Sequence, residues 1–196
     1  MELSGDSDRD KFTKSIKPKS KHDAPDKYDI FLKWLEVNGT KFPKLELVDY
    51  GDEVRGCHAK MNVNAEEVFV EVPLSCLITV EMGKETIIGK AIISSNIELD
   101  APKHIFLMVY MLIDMKNPNS FFKPYYDILP TNLCNMPIFW TNEELALLEG
   151  SYMLQQIEER KKAIENDYTL IKSVYPNLVE LCDLRGTLQL NIKPHV

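Results

Sequence analysis

The pattern of apolar and polar positions first separates a polar N-terminal tail from a folded part. Apolar residues are scarce from Met1 to Asp26, whereas they recur at helical spacing from Lys27 to Val37. A segment as polar as the tail buries too little surface to offset its ordering entropy, so we expect residues 1–25 to be disordered. Asp26 can cap a helix over Lys27–Val37, and Asn38-Gly39 provides a stop after it.

Short apolar runs replace the helical spacing between residues 45 and 79. Tyr50-Gly51-Asp52 has the composition of a turn, and Pro73 is expected to end a strand, because proline donates no hydrogen bond to a sheet. This part of the chain therefore predicts mostly short strands behind one helix. Leu45–Val48 is a short apolar segment, and the predicted strands are a clear one with Val68, Val70 and Val72 on one face and a short one over Cys76–Thr79.

From Val80 onward the pattern is helical. One helix has an apolar centre on all sides, which predicts that it is buried. A four-residue capping box precedes another apolar run. The predicted helices are Ala101–Lys116 capped by Asp100, Phe121–Ile128 capped by Ser120, a helix after Thr141-Asn142-Glu143-Glu144, and a long helix over Ser151–Val174.

The long helix carries one apolar stripe. Its length of about three heptads and the interruption at Lys161 favour packing on one surface over a coiled coil. Beyond Pro176, Arg185 to Val196 shows no strong periodicity, so 177–196 stays unassigned. The stripe consists of Leu154, Ile157, Ile164, Tyr168 and Ile171.

Composition excludes several functional classes. The apolar share of 44% and the charged share of 27% are those of an ordinary soluble domain. A net charge of -7 argues against a nucleic-acid partner, because phosphate contacts need clustered Lys and Arg. The longest apolar run, Ile105 to Ile113, is too short for a membrane span. Four scattered cysteines without a C-x-x-C pair predict free thiols and no metal site, and no catalytic Ser-His-Asp or Cys-His set can be assembled.

The location within the cell stays open between cytoplasm and nucleus. The N-terminal tail lacks the apolar stretch of a signal peptide. Four lysines between Lys14 and Lys21 fit either a nuclear-import or anion-binding patch or, more simply, a solvated tail.

Three stretches, in order, resemble a known family. The first joins Glu53–Ala59 to Glu67–Pro73, the second runs from Pro118 to Pro130, and the third from Phe139 to Ser151. Together they resemble the SET-domain protein methyltransferases of the Rubisco lysine methyltransferase and actin-histidine methyltransferase type. The resemblance covers roughly residues 26–176 and corresponds to the N-terminal part of that family only.

The resemblance implies a cofactor site in the first stretch. In the family this glycine turn holds S-adenosylmethionine, and a glycine exposes backbone groups to a ligand because no side chain blocks the approach. The matching cofactor-binding candidates are Glu53, Arg55, Gly56, Cys57 and His58, with Arg55 acting through its backbone. Glu53 would favour the cationic end of the cofactor. An ordinary turn between strands is the alternative, because Val54 replaces the first glycine of the pattern and a β-branched residue disfavours a positive φ.

The aromatic residues of the second stretch have two possible roles. We expect Phe121, Phe122, Tyr125 and Tyr126 to pack the helical insert together, and the alternative is contact with a substrate. The family's Asn-His pair and channel tyrosine have no match, since the chain contains no Asn-His dipeptide. We therefore name no catalytic residue.

The resemblance implies an α+β fold, in which short, mostly antiparallel SET-type strands precede a helical insert and the SET fold is incomplete at the C-terminus. The expected regions are a tail over 1–25, strands with a leading helix over 26–79, the insert over 80–176 and an unassigned tail over 177–196.

The implied function is S-adenosylmethionine-dependent methylation of a protein, with lysine as the predicted acceptor. We expect this apparently truncated chain to be inactive alone and to self-associate through exposed apolar surface. The alternative is a non-catalytic protein-interaction module derived from a SET-domain protein.

Overall fold

The computed structural model describes residues 26–51, 54–130, 133 and 136–177. Helices and one antiparallel two-stranded sheet make up these residues, which confirms the predicted α+β class. Contacts divide the chain into two compact units, one up to Leu77 and one from Ile78. The predicted tail over 1–25 and residues 178–196 lie outside the described ranges. The boundaries expected for the four regions remain predictions.

Helix α1 spans Lys27–Val37, as the sequence predicts. The Asp26 carboxylate accepts hydrogen bonds from the backbone N–H groups of Tyr28 and Asp29, both at 2.8 Å. The Asp29 carboxylate accepts in return from the Asp26 N–H at 3.3 Å, so a capping box satisfies the free donors of the first turn. After the helix, Gly39 takes a φ of +90°, which only glycine adopts without strain.

A hairpin follows α1 in the first unit. Strand β1 (Leu45–Gly51) pairs antiparallel with β2 (Val54–Ala59), and an irregularity in the register lies between Asp49 and Gly51. Gly51 has a φ of +89°, and its N–H donates to the Asp49 carboxylate at 2.9 Å. The short apolar segment Leu45–Val48 thus forms most of strand β1.

The prediction of a strand around Val68, Val70 and Val72 is wrong. Only one isolated bridge forms there, in which Lys41 and Glu71 exchange two backbone hydrogen bonds at 2.9 Å. The alternating apolar pattern is present, but the described residues supply no continuous partner strand, and a strand needs one to bond its backbone. The predicted strand Cys76–Thr79 is also wrong, because Leu74–Cys76 forms a short 3₁₀ helix.

The second unit is helical, and two glycines allow its first helices to approach closely. A Cβ on Gly83 would lie 2.0 Å from the Phe106 carbonyl oxygen, and one on Gly89 would lie 2.1 Å from the Gly83 carbonyl oxygen. Neither position therefore has room for a larger side chain. The helices are α2 (Val80–Glu85), α3 (Ile87–Ser95), α4 (Pro102–Asp114), α5 (Lys123–Asp127), α6 (Asn142–Ala146) and α7 (Tyr152–Val174).

The core of the second unit joins three of these helices. Residues on α3, α4 and α7 are buried against one another, which confirms that the apolar centre of α4 and the stripe on α7 face a core. Half-buried residues such as Tyr168 and Ile113 surround this cluster. Its buried members are Ile88, Ile92, Phe106, Val109 and Ile171.

The predicted cap of α4 is wrong. The helix begins at Pro102 with Ala101 at the capping position, and no side chain caps it. Asp100 instead donates its backbone N–H to the buried carboxylate of Asp167 on α7 at 2.9 Å, and its own carboxylate pairs with Arg160 at 3.3 Å. Tertiary contacts with α7 therefore use the residue that the local pattern assigns to capping.

Ser120 lies before the helix that it was expected to cap and does not cap it. Helix α5 begins at Lys123, and the Ser120 hydroxyl oxygen accepts from the Phe122 N–H at 3.0 Å. The capping box of Thr141 and Glu144 is confirmed ahead of α6, and Ser151 caps α7 as the predicted start of the long helix requires.

Candidate functional site

The predicted cofactor residues lie on strand β2 and not on a turn. Arg55, Gly56, Cys57 and His58 are four consecutive residues of that strand, and Glu53 lies outside the described residues. Strand β1 ends at Gly51, whose register partner Val54 begins β2, so these four residues follow the reversal of the chain. A strand presents alternate residues to opposite faces, so these side chains cannot all face one ligand.

One face of β2 is directed at α1. The guanidinium carbon of Arg55 lies 5.6 Å from the ring centroid of Tyr28, a buried residue of α1, which is cation–π distance. Cys57 lies two residues after Arg55, on the same face of the strand, and is an exposed free thiol. The Arg55 side chain is therefore engaged within the unit.

The opposite face of the hairpin carries Gly56 and His58 together with Tyr50 of β1. The Tyr50 hydroxyl hydrogen-bonds to Nε2 of His58, and the two ring centroids are 5.7 Å apart. Sequence reasoning missed Tyr50, since it was taken as a turn residue. The register places Val48 opposite Gly56 and Glu46 opposite His58. Because alternate residues of a strand share a face, Tyr50 lies on the same face as Val48 and therefore as Gly56 and His58.

Gly56 leaves space for this pair of rings. A Cβ at position 56 would meet His58 Nε2 at 3.2 Å and Tyr50 Cε2 at 3.3 Å, both tighter than ordinary contact. The β-branched side chain of Val54 does not strain the hairpin, because Val54 does not have a positive φ. The concern that a β-branched residue would strain this position therefore does not arise in the hairpin as it is folded.

An exposed apolar segment, Val68–Leu74, follows the hairpin in the chain. Val68 is 78% exposed and Leu74 is 72% exposed. Within the described residues, the backbone of this segment bonds to a distant part of the chain only at Glu71, which pairs with Lys41. Both faces of an extended segment are thus open, and this is unusual for a run so rich in valine. The other large apolar side chains that it exposes are Phe69, Val70 and Val72.

An open cleft of about 350 Å³ lies beside the end of α1. Thr40 is buried there, and its hydroxyl oxygen has no hydrogen-bond partner among the described residues. Acidic and basic side chains both line the cleft, so it has no single charge preference. The lining residues are Glu36, Thr40, Lys41, Phe42, Pro43 and Lys60.

The second unit contains a buried polar network where the aromatic residues of the insert meet α4. Asp114 accepts hydrogen bonds from the Ser120 hydroxyl at 2.5 Å and from the Tyr126 hydroxyl at 2.8 Å. Burial, and secondarily the bond to Asp114, raise the pKa of Tyr126 well above its ordinary value of 10.0. Burial also raises the pKa of Tyr110. Such a phenol stays protonated as a donor, so its role here is to hold the insert together.

The aromatic side chains of the insert divide between core and surface. Phe122 and Tyr126 are buried, and Phe122 packs edge-on against both Tyr110 and Phe121, with centroids at 6.2 and 5.1 Å. Phe121 is exposed. The expected packing role therefore holds for Phe122 and Tyr126.

Neither a group of metal ligands nor a membrane-spanning helix is found in the described parts of the chain. The His, Cys, Asp and Glu residues there form no group of three that could hold a metal ion. The helices in the same ranges include none with the length and apolar character needed to cross a membrane.

Comparison with curated proteins identifies relatives in sequence. No family model matches the chain. The actin-histidine N-methyltransferase of Rattus norvegicus is 30% identical over 149 residues, and that of Homo sapiens is 28% identical over the same length. In both cases the match covers 76% of this chain and 25% of the relative. The chain thus spans about a quarter of the length of the curated relatives that it matches.

Comparison with solved structures identifies the same fold. The SET domain of LSMT bound to methyllysine and AdoHcy aligns with a TM-score of 0.65 and 22% identity, over 81% of this chain and 36% of that one. Rubisco LSMT bound to AdoMet aligns with a TM-score of 0.64 over the same shares. AdoMet and AdoHcy are S-adenosylmethionine and its demethylated product, which agrees with the predicted cofactor. Sequence relatives and fold neighbours together confirm the predicted resemblance to the SET-domain protein methyltransferases.

Proposed function

We propose that the chain is part of an S-adenosylmethionine-dependent protein methyltransferase. The observation that carries this proposal is the agreement of two likenesses over most of the chain. One is to methyltransferases in sequence, and the other is to AdoMet-bound SET domains in fold. When bound, the cofactor would supply a methyl group on a sulfonium sulfur, and the protein's task is to position an acceptor nitrogen.

The exposed face of the hairpin fits part of such a cofactor site. Gly56 has no side chain, so the Tyr50 and His58 rings can lie over it, and the exposed His58 imidazole can form hydrogen bonds. Arg55 and Cys57, on the other face, would contribute through their backbone. Glu53 keeps its proposed role as the acidic partner of the cofactor's cationic end.

The acceptor is proposed to be a side-chain nitrogen of another protein, with lysine as the prediction from sequence. The names of the sequence relatives point to histidine of actin, whereas the fold neighbours were solved with lysine or methyllysine. Lysine and histidine acceptors must therefore be assayed side by side.

Only part of the methyl-transfer machinery is proposed to reside in this chain. The match covers 36% of the LSMT structure, and the sequence contains no Asn-His pair. A misplacement of about 1 Å can already cost on the order of a hundredfold in rate. Without the groups that close the site, the chain alone is expected to bind the cofactor weakly and to be inactive.

A protein-interaction module is the second candidate, favoured by one observation. The segment Val68–Leu74 exposes apolar side chains, and among the described residues it has a cross-strand backbone partner only at Glu71, which suits the addition of a strand from another polypeptide. In this function the fold would be retained without methyl transfer.

The test combines cofactor binding with methylation. The full 196-residue chain is titrated with S-adenosylmethionine by calorimetry and by NMR, beside Glu53→Ala and the control Glu98→Ala, an exposed glutamate of the second unit. Weak binding that Glu53→Ala reduces and Glu98→Ala does not is the expected result. Lysine peptides and an actin histidine peptide are then assayed for methylation.

The outcomes separate the two candidates. Absence of cofactor binding at millimolar concentration would favour the interaction module over the methyltransferase. Sub-micromolar affinity that Glu53→Ala leaves unchanged would mean that the cofactor site lies elsewhere. Methylation of either peptide class by the chain alone would show that the expectation of inactivity is wrong.

A further inference from the structure

A phenol–imidazole pair stands on the exposed face of the β1–β2 hairpin. The Tyr50 hydroxyl bonds to Nε2 of His58, with the two ring planes inclined at 48°. Gly56 lies beneath both rings, since a Cβ there would come within 3.2 Å of His58 and 3.3 Å of Tyr50. The pair therefore depends on a position without a side chain, and three residues from two strands form one arrangement.

The bond to Nε2 determines which imidazole nitrogen carries the proton. A neutral imidazole has one N–H donor and one bare nitrogen acceptor, and the partner of one nitrogen fixes the state of the other. A phenol is a good donor and a bare imidazole nitrogen a good acceptor, so the favoured arrangement has Tyr50 donating to Nε2. The proton of His58 then resides on Nδ1. Because His58 is exposed, this N–H is the donor that the ring offers to a bound molecule.

We propose that Tyr50 is a positioning residue that holds His58 in its Nδ1–H form, and that this N–H binds the carboxylate of the amino-acid part of S-adenosylmethionine. The inference rests on the proposed function. The carboxylate is the one anionic group of that cofactor, and an oriented N–H is a suitable partner for it.

The charges on this face set the expected size of the effect. Glu46 is the register partner of His58 and is exposed, so the face carries an acidic group of its own. The cation of Arg55 is directed to the other face, toward Tyr28. The carboxylate would therefore be held by an oriented donor and not by net positive charge, and the contribution is that of one hydrogen bond.

The test compares two ligands on Tyr50→Phe, which keeps the ring and removes the donor. The full chain is titrated by NMR with S-adenosylhomocysteine and with 5′-methylthioadenosine, which lacks the amino-acid part. We expect the affinity for the first to fall roughly threefold to tenfold, as for the loss of one hydrogen bond, and that for the second to stay within about twofold. Tyr152→Phe, the same change on an exposed side chain of α7, is the control and should alter neither.

A second readout follows the imidazole directly. Long-range ¹H–¹⁵N spectra of the neutral ring report its tautomer, and the signals of His58 are assigned with His58→Gln. The wild-type chain should show the Nδ1–H form, and Tyr50→Phe should shift His58 toward the Nε2–H form. Thermal melts of both variants verify that they remain folded.

Three results would overturn the inference. An equal loss of affinity for both ligands would mean that Tyr50 only supports the fold. A His58 tautomer that does not change in Tyr50→Phe would remove its positioning role. If the wild-type chain binds neither ligand, the proposed function fails and the carboxylate contact fails with it, while the spectra still decide whether Tyr50 positions His58.

Discussion

The two units of the chain differ in how they bury their apolar residues. In the first unit the buried apolar side chains are Tyr28 and Cys76, and all others in the described ranges belong to the second unit. The first unit instead exposes a run of valines in the segment Val68–Leu74. The helical unit therefore has a core of its own, whereas the strand-containing unit leaves apolar surface open.

The difference follows from where each kind of element finds its hydrogen bonds. A helix bonds its backbone within one segment, so α3, α4 and α7 need only bring their apolar faces together. A strand needs a neighbour, and in the first unit the hairpin has one while the segment around Glu71 has a single bridge. Strand-rich parts of a fold therefore depend more on distant segments than helical parts do.

The largest expected effect is in the core of the second unit. Ile88 is 1% exposed and Ile87, its neighbour on α3, is 66% exposed. Ile88→Ala should lower the free energy of unfolding by about 2–5 kcal/mol, because it removes buried contacts and leaves a cavity. Chemical denaturation measures it, and Ile87→Ala is the matched control, with a change within about 0.5 kcal/mol. Equal effects of the two variants would mean that the second unit has no separate core.

An intermediate effect is expected at the polar network of the insert. Tyr126→Phe removes the hydroxyl that Asp114 accepts from, and it should cost about 1–3 kcal/mol near neutral pH. Chemical denaturation measures this change, with Tyr152→Phe as the exposed control.

The pH dependence of this network has a definite sign. The pKa of Tyr126 is raised in the folded state, so its contribution to stability is complete below the unfolded value of about 10 and is lost as pH rises above it. Unfolding measured between about pH 8 and 11 should therefore show a steeper alkaline loss in the wild type than in Tyr126→Phe. Parallel curves would contradict the assignment of this loss to Tyr126.

The smallest effect on stability is expected in the segment Val68–Leu74. The same change should have a large effect on association. Val68→Lys should change the free energy of unfolding by no more than about 0.5 kcal/mol, because the side chain is already in solvent. It should reduce self-association and the binding of a dye for apolar surface, since a charge on an open edge disfavours pairing. Sedimentation and dye fluorescence measure both changes.

The control for this variant is Leu147→Lys, because Leu147 is also a highly exposed apolar residue but belongs to the second unit. It should leave association unchanged. A wild-type chain that is monodisperse and binds no dye would contradict the prediction that this segment drives association.

Local signals in the sequence were sufficient for most helices. Helix α1, with its cap at Asp26, and the bounds of helix α7 agree with the prediction closely. Thr141 and Glu144 form the predicted capping box. These elements depend on contacts within a few residues along the chain, which a sequence pattern contains directly.

Elements that depend on distant partners were predicted less well. Asp100 fits the pattern of a helix cap but bonds to α7, 67 positions away. The valines around Glu71 alternate as in a strand, yet an extended pattern does not supply the neighbour that a strand requires. The candidate site stays a prediction from the resemblance, and the division of its residues between two faces required the register of the hairpin.

The sequence by itself determined most helical segments, the caps at Asp26 and Thr141, the α+β class and the resemblance to SET-domain methyltransferases, because these depend on local spacing and on the order of motifs. The tertiary structure alone decided that Arg55 stacks on Tyr28, that Tyr50 meets His58 over Gly56, and that the segment Val68–Leu74 stays open. The physical reason is that strand pairing and side-chain facing are set by partners distant in the chain, whose identity no local pattern specifies.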